Sequence, residues 1–385
     1  MERVAVVRAL RTPIGRFLGG LSSLSAPELG IAVVSKLLED LDLAIDELIF
    51  GCARQAGCGP NPARQIAVRS GPGEECVAHT VNMAGGSGLK AIVLGVEAIR
   101  LGRARAVVCG GTESMSRLPF FLERLRTGYR LGHGELVDGM YRDGFHCPLA
   151  DQLMGRTAET LAERYELSRE EQDAFALSSQ RKAGAARDGG AFEDEIVAVE
   201  TRKGPVAVDE HPRPDTTLEK LGRLPPVFKK DGTVHAGNSS GITDGAAALL
   251  LVPESTVRER RLEPLGYFED SAAAGVDPRI MGIGPVPATR RLLERTGAQL
   301  TDFDLVELNE AFAAQVLACQ RDLGIEADRL NVHGGAIALG HPIGCTGARI
   351  VVTLLHAMRR READRGLATL CISGGLGLAA SFARR

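Results

Sequence analysis

Short apolar runs alternate with amphipathic stretches along most of the chain. Val4–Val7 reads as a buried strand, Arg11–Phe17 as a loop and Ala26–Leu43 as an amphipathic helix. Glu47–Gly51 reads as a second strand, Pro60–Arg69 as a short helix with proline near its start, and Val77–Val81 as a third strand. Ala91–Leu101 follows as a helix, then Ala104–Cys109 as a strand closing on Gly110-Gly111. This strand–helix alternation predicts an α/β layered fold.

The pattern breaks near Arg117. Residues 118–150 are loop-forming, Ser168-Arg169-Glu170-Glu171 is a capping box opening a helix to about Arg187, and 200–236 are polar and proline-rich. Alternation resumes at Gly245–Leu251. The expected division is 1–117 with 244–264, an inserted segment 118–243 that covers the core, and 265–385. Long irregular insertions are usually functional, with an oligomerisation arm as the competing reading.

The two ends of the chain echo each other. Asn82–Gly86, a helix, and Ala104–Gly111 correspond to Asn331–Gly335, a helix from Thr346 to Arg361, and Leu367–Gly375. The repeat predicts a duplicated α/β half, with equivalent helix N-termini facing one cleft. In the first half that N-terminus is Thr80–Lys90, where unpaired N–H groups and the helix dipole suit an anion or an ionised nucleophile.

Composition narrows the field. A net charge of −3 over 385 residues gives no general attraction for nucleic acid or an anionic membrane. Aromatic residues make up 4%, with no Trp, which argues against a base-stacking surface. None of the eight cysteines forms a Cys-x-x-Cys pair, so zinc-ribbon and redox-motif readings are weak. Several cysteines lie in apolar runs, as buried free thiols of a reducing compartment do. With no signal peptide and no apolar run of about 18 residues, the expected location is cytoplasmic and off the membrane.

Three stretches carry candidate chemistry. His341, between Gly340 and Pro342, is either an aimed general base or a loop histidine bonded to backbone. No His-x-x-x-His is present, so no metal is expected. Asn309 ends the apolar run Leu305–Leu308, where it either stabilises an oxyanion or caps a helix. Cys371 precedes a glycine turn and is either an acid–base thiol or a small buried hydrophobe. Gly375-Leu376-Gly377-Leu378-Ala379-Ala380 fits a dinucleotide fingerprint, but too little chain follows for the required helix and strand.

These stretches, with Arg11–Gly15, Gln55–Gly57, Asn61–Gln65, Gly111–Ser116, Gly237–Gly241, Asp244–Ala247 and Met281–Pro287, resemble the thiolases along essentially the whole chain. The resemblance implies two mixed five-stranded α/β halves in five α-β-α-β-α layers, a coenzyme A-binding loop domain at 118–243, and a homodimer or homotetramer. It implies acyl transfer on acetyl-CoA and 3-ketoacyl-CoA, by Claisen condensation or thiolysis, with coenzyme A as substrate and no permanent cofactor. His341 would activate the nucleophile, Cys371 exchange the substrate proton, and Asn309 hold an oxyanion water. Arg213 and Ser240 would bind the coenzyme, and Ala236 and Met154 line the pantetheine path. The lack of His before Met154-Gly155, with Arg213-Pro214, looks more like the broad-chain degradative type.

One position departs from the family. Thiolases carry a nucleophilic cysteine directly before Gly-Ser-Gly, and Gly85 stands there. Glycine supplies no nucleophile, so the acyl-enzyme route is expected to be closed at this position. Ser87, two residues on, faces away from the position of residue 85 on a helix. Three readings remain open: a thiolase with its nucleophile replaced, a cysteine-independent decarboxylase or hydrolase of acyl-CoA thioesters, and a non-catalytic CoA-binding or structural subunit.

Overall fold

The computed structural model describes residues 2–385. The first half runs β1 (Val4–Arg11), α1 (Ala26–Leu37), β2 (Glu47–Gly51), α2 (Pro62–Arg69), β3 (Val77–Val81), α3 (Ser87–Arg100) and β4 (Val107–Ser114). Residues 118–242 add no strand to the main sheet and hold helices α4 (Met154–Arg164) and α5 (Arg169–Asp188). Then come β5 (Thr243–Pro253), β6 (Gly266–Gly275), α6 (Pro285–Thr296), β7 (Leu305–Leu308), α7 (Ala313–Leu323), α8 (Ile343–Arg361), β8 (Arg365–Ile372) and β9 (Leu376–Ala383).

The long strands form one mixed sheet in the order β7-β8-β9-β6-β1-β5-β4-β2-β3. The two expected halves are both present, and they are continuous with each other. Val4, Ala5 and Val6 pair with Phe268, Tyr267 and Gly266, so β1 and β6 join the halves edge to edge. The second half contributes four strands and a single bridge between Val306 and Leu330 in place of a fifth.

Alternate residues of the strands feed different cores. Val107 and Cys109 of β4, and Ala247, Leu249 and Leu251 of β5, enter a central core with α3 and α8. Val108, Ala248 and Leu250 enter an outer core with α1 and α2. In β8, Ala368 and Leu370 face the centre, whereas Leu367 and Cys371 face an outer core beneath α6 and α7. Strands buried on both faces read as unbroken apolar runs, which is why β5 looked continuous in sequence. The α-β-α-β-α layering follows: α3 and α8 are sandwiched, touching strands of both halves.

Several boundaries differ from the sequence expectation. The helix expected to reach Leu43 stops at Leu37, where the Leu38 N–H turns back to Val34 and Lys36 and Asp40 takes φ 57°. Helix α3 starts at Ser87, a turn before Ala91, and α8 at Ile343 instead of Thr346. Strand β4 runs on through its glycines to Ser114, because backbone pairing with Asp244 of β5 does not depend on apolar side chains. The Ser168–Glu171 capping box forms as expected.

Helices α3 and α8 approach each other closely in the core. A Cβ on Gly88 would come 2.6 Å from the Ala348 nitrogen, and one on Gly347 would come 2.4 Å from the Leu89 nitrogen. Backbone atoms cannot yield as a flexible side chain does, so only glycine permits this crossing. Gly347→Ala is therefore expected to destabilise the fold by about 1–3 kcal/mol. Gly184→Ala, in α5 with no atom near its Cβ, is expected to stabilise by about 0.5–1 kcal/mol. Urea unfolding of the two variants beside the parent checks both signs.

Candidate active site

The crossing of α3 and α8 brings their N-terminal loops together. After β3 the chain makes a tight turn: Asn82 Oδ1 accepts from the Ala84 N–H at 3.0 Å, and Ala84 takes φ 44°. Ser87 Oγ donates to the Ala84 carbonyl at 2.6 Å and accepts from the Met83 N–H at 2.9 Å. That hydroxyl is fully buried and occupied with closing the turn, so Ser87 does not replace a nucleophile. Gly85 projects from the turn with ordinary backbone angles. A Cβ on Gly85 would lie 3.5 Å from the Cys371 carbonyl oxygen, 3.7 Å from His341 Cε1 and 3.8 Å from His341 Nε2.

His341 is buried and held from both sides. Its N–H donates to the Gly241 carbonyl at 3.1 Å. Its Nδ1 lies 2.6 Å from Thr346 Oγ1, and that hydroxyl donates to the Pro342 carbonyl at 2.9 Å. With the Thr346 proton committed to Pro342, Oγ1 accepts from Nδ1–H. Nε2 is then the bare, basic nitrogen, and it is the one facing Gly85. Burial, reinforced by the charges of Arg54 and Arg349, pushes the His341 pKa down to about 3. The main-chain contact of His341 uses its N–H, and the ring bonds a side chain instead.

Asn309 follows β7 and is almost wholly buried. Its Nδ2 stands 3.5 Å from His341 Nε2, while Oδ1 has no partner among the described residues. The helix-cap alternative fails, because α7 begins four residues later and is capped at Phe312. Cys371 lies near the end of β8, and its carbonyl, not its thiol, borders the position of residue 85. The thiol joins the outer core with Phe312 and Met154, and burial pushes its pKa up to about 12. It is a protonated acid at neutral pH.

Supporting contacts that sequence reasoning missed fix this group. Glu113, inside a motif noted only for its resemblance, accepts from the N–H groups of Ala53 at 3.2 Å, Arg54 at 3.2 Å and Gly344 at 2.9 Å. It thus ties the first half to the N-terminus of α8. Thr346 lies one helical turn past Pro342, a spacing visible in sequence only once α8 is known to start at Ile343. Asn238 closes the loop before Gly241 by accepting from His235 N–H at 2.8 Å and donating to Asp173 at 3.1 Å.

The four expected coenzyme positions are dispersed. Met154 opens α4 and lines a cavity of about 610 Å³ with Asn82, Ser373 and Gly374. Ser240 is half-buried, its N–H donating to the Ala311 carbonyl at 3.0 Å, next to Gly241. Arg213 and Ala236 are exposed, with Arg213 held by its N–H to Gln180 at 2.8 Å. No cluster of His, Cys, Asp or Glu suited to a metal occurs among the described residues, nor any helix long and apolar enough to cross a membrane.

Comparisons with known proteins bear on the family and the fold. Residues 4–255 match the family described as "Thiolase, N-terminal domain" and residues 262–384 match "Thiolase, C-terminal domain". The chain is 53% identical to an acetyl-CoA acetyltransferase of Pseudomonas aeruginosa over 392 residues, covering 100% of both chains. It is 50% identical to one of Escherichia coli K12, covering 98% of each. Among solved structures, the Bacillus anthracis acetyl-CoA acetyltransferase superposes with a TM-score of 0.97 at 42% identity, covering 100% of this chain and 99% of that one. Human mitochondrial 3-ketoacyl-CoA thiolase in complex with CoA gives 0.96 at 42% identity, covering 100% and 98%.

The imidazole assignment is testable by NMR. Carbon and nitrogen shifts of His341 are expected to show the neutral Nδ1–H form from pH 7.5 down to about 5, with no titration near the usual value of about 6.5. A midpoint near 6.5 would overturn the burial argument.

Proposed function

The chain belongs to the thiolase family, and from that footing we propose that acetyl-CoA and 3-ketoacyl-CoA are handled where Gly85, His341, Asn309 and Cys371 converge. Its relatives are acetyl-CoA acetyltransferases, so thiolase-type acyl transfer is the activity supported at family level. In this reading residues 118–243 form the coenzyme A-binding loop domain, with Arg213 and Ser240 on the coenzyme and Ala236 and Met154 along the pantetheine. The assembly is a homodimer or homotetramer.

His341 Nε2 is the base and Asn309 supplies the neighbouring donor for an oxyanion. In the cleavage direction, with a cysteine at residue 85, its thiolate adds to C3 of the 3-ketoacyl thioester and the C2–C3 bond breaks, leaving the acyl group on that sulfur for transfer to the thiol of coenzyme A. The electron pair left on C2 takes the proton of the Cys371 thiol, giving acetyl-CoA. A buried thiol is suited to this step because it stays protonated until a strong base forms beside it.

The observation that carries the reading is the direction of the Gly85 Cβ position, toward His341 Nε2 and the Cys371 carbonyl. A cysteine at residue 85 would stand beside the base that family chemistry requires. Glycine leaves the base without a thiol to activate, so the acyl-enzyme route through residue 85 is closed and the chain is inactivated for ping-pong transfer. A second reading rests on the same open space: His341 Nε2 is free to deprotonate a water, giving cysteine-independent hydrolysis of an acyl-CoA thioester.

Gly85→Cys is expected to fold like the parent, since its Cβ meets only ordinary contacts. Thiolysis of acetoacetyl-CoA and longer 3-ketoacyl-CoA should rise on the order of a thousandfold or more. If the parent already cleaves these thioesters at ordinary enzyme rates, the account of Gly85 is wrong. Release of free CoA from 3-ketoacyl-CoA by the parent without a thiol acceptor would favour the hydrolytic reading. CoA binding with no turnover by either protein would leave a non-catalytic binder.

A further inference from the structure

One charge in the wall of the cleft acts on His341 but has no partner of its own among the described residues. Arg54, just beyond β2, is only 7% exposed. Its Nε is enclosed without a partner, and the guanidinium makes no hydrogen bond or ion pair among the described residues. Its main chain, by contrast, is fixed. The N–H donates to Glu113 Oε1 at 3.2 Å, and the carbonyl accepts from the thiols of Cys52 and Cys58, each at 3.9 Å.

The opposite wall is shaped to receive the guanidinium. Tyr141–Phe145 forms a single π-helical turn, an irregularity that often marks functional sites. A Cβ on Gly144 in that turn would come 2.5 Å from Arg54 Nη2, so glycine makes the room. Between these walls lies the cavity of about 610 Å³. It is lined by Asn82, three residues before Gly85, and Ser373, two after Cys371, together with Arg54, Asp143 and His146. The neighbouring charges are largely committed. Arg142 pairs with Glu123 at 2.8 Å, His146 Nε2 lies 3.3 Å from Asp151, and Glu113 serves the backbone. Asp143 shares the cavity but is not within ion-pairing distance of Arg54.

A buried, unpaired cation is costly, and a guanidinium is the side chain best matched to a carboxylate. We propose that Arg54 is the subsite for a carboxylate at the far end of the acyl chain. The substrate class would then be an ω-carboxyl acyl-CoA thioester, derived from a dicarboxylic acid, in preference to acetyl or plain alkyl thioesters. This rests on the reading of the cleft as an acyl-CoA site. The burial that draws the Arg54 pKa below its usual value, against Glu113 and Asp143, is relieved by such an anion.

Calorimetry on the full chain tests the idea without needing turnover. Succinyl-, glutaryl- and adipyl-CoA are titrated beside butyryl-, valeryl- and hexanoyl-CoA of matched length, with CoA alone as reference. At least one carboxylated ligand is expected to bind about tenfold or more tightly than its neutral match. In Arg54→Met that ligand should fall to the level of its neutral match. Equal affinities in the parent, or a preference that survives Arg54→Met, overturn the proposal. An Arg54→Met effect of equal size on CoA alone assigns Arg54 to a coenzyme phosphate and also overturns it. If CoA binds and the preference is missing, only this inference fails, whereas failure of CoA and every thioester to bind removes the acyl-CoA reading as well. Gly144→Ala keeps the charge and displaces the guanidinium, so it repeats the test should Arg54→Met not fold: a preference still at tenfold counts against the subsite.

Discussion

The close approach of α3 and α8 is the constraint on which the site depends. Two backbones can come this near only where neither carries a side chain, and Gly88 and Gly347 satisfy that from opposite halves of the chain. Each helix begins within a few residues of its glycine, so the crossing delivers Gly85 from one loop and His341 from the other to the same point. Two helix N-termini then share one cleft, and their dipoles together favour negative charge developing there. Displacing either helix would separate the base from residue 85 before any catalytic group was changed.

Buried carboxylates hold the surrounding segments onto this crossing. Glu113 spends its oxygens on three N–H groups, one of them at the start of α8, and so fixes the loop that carries His341. Glu310 accepts from Ser179 at 2.6 Å, Asn331 at 2.9 Å and the Ile337 N–H at 3.2 Å, which binds α5 to the region around Asn309. Arg11, wholly buried, meets Glu195 at 2.6 Å and Asp209 at 2.7 and 2.9 Å, pinning the end of the inserted segment to β1. Such groups are tolerated in a dry interior only because their partners are in place, and removing one partner strands the other. The same dry interior keeps His341 neutral and Cys371 protonated.

Gly85 and Arg54 differ in what they bring to the cleft. At Gly85 there is no side chain, and its Cβ position faces His341 and the Cys371 carbonyl. At Arg54 a charge is present that the core chemistry does not consume.

How much was legible in sequence varies by element. Strands β2 and β3 and the α5 capping box read correctly, because apolar runs and Ser–Glu spacing are local signals. The early start of α3 was missed because Gly86-Ser87-Gly88 reads as a turn until packing against α8 makes it helical. His341, Asn309, Cys371 and Gly85 could be singled out from their neighbours and their family resemblance. Thr346, Glu113 and Arg54 could not, since their roles depend on residues 5 to 231 positions away. The sequence by itself determined the layered α/β class, the family and the glycine at position 85, all of which reside in residue identity and local order. Only the tertiary structure decided which histidine nitrogen is basic, that the two halves share one sheet, and that Arg54 is left unpaired, because each is a property of distances between groups far apart in the chain.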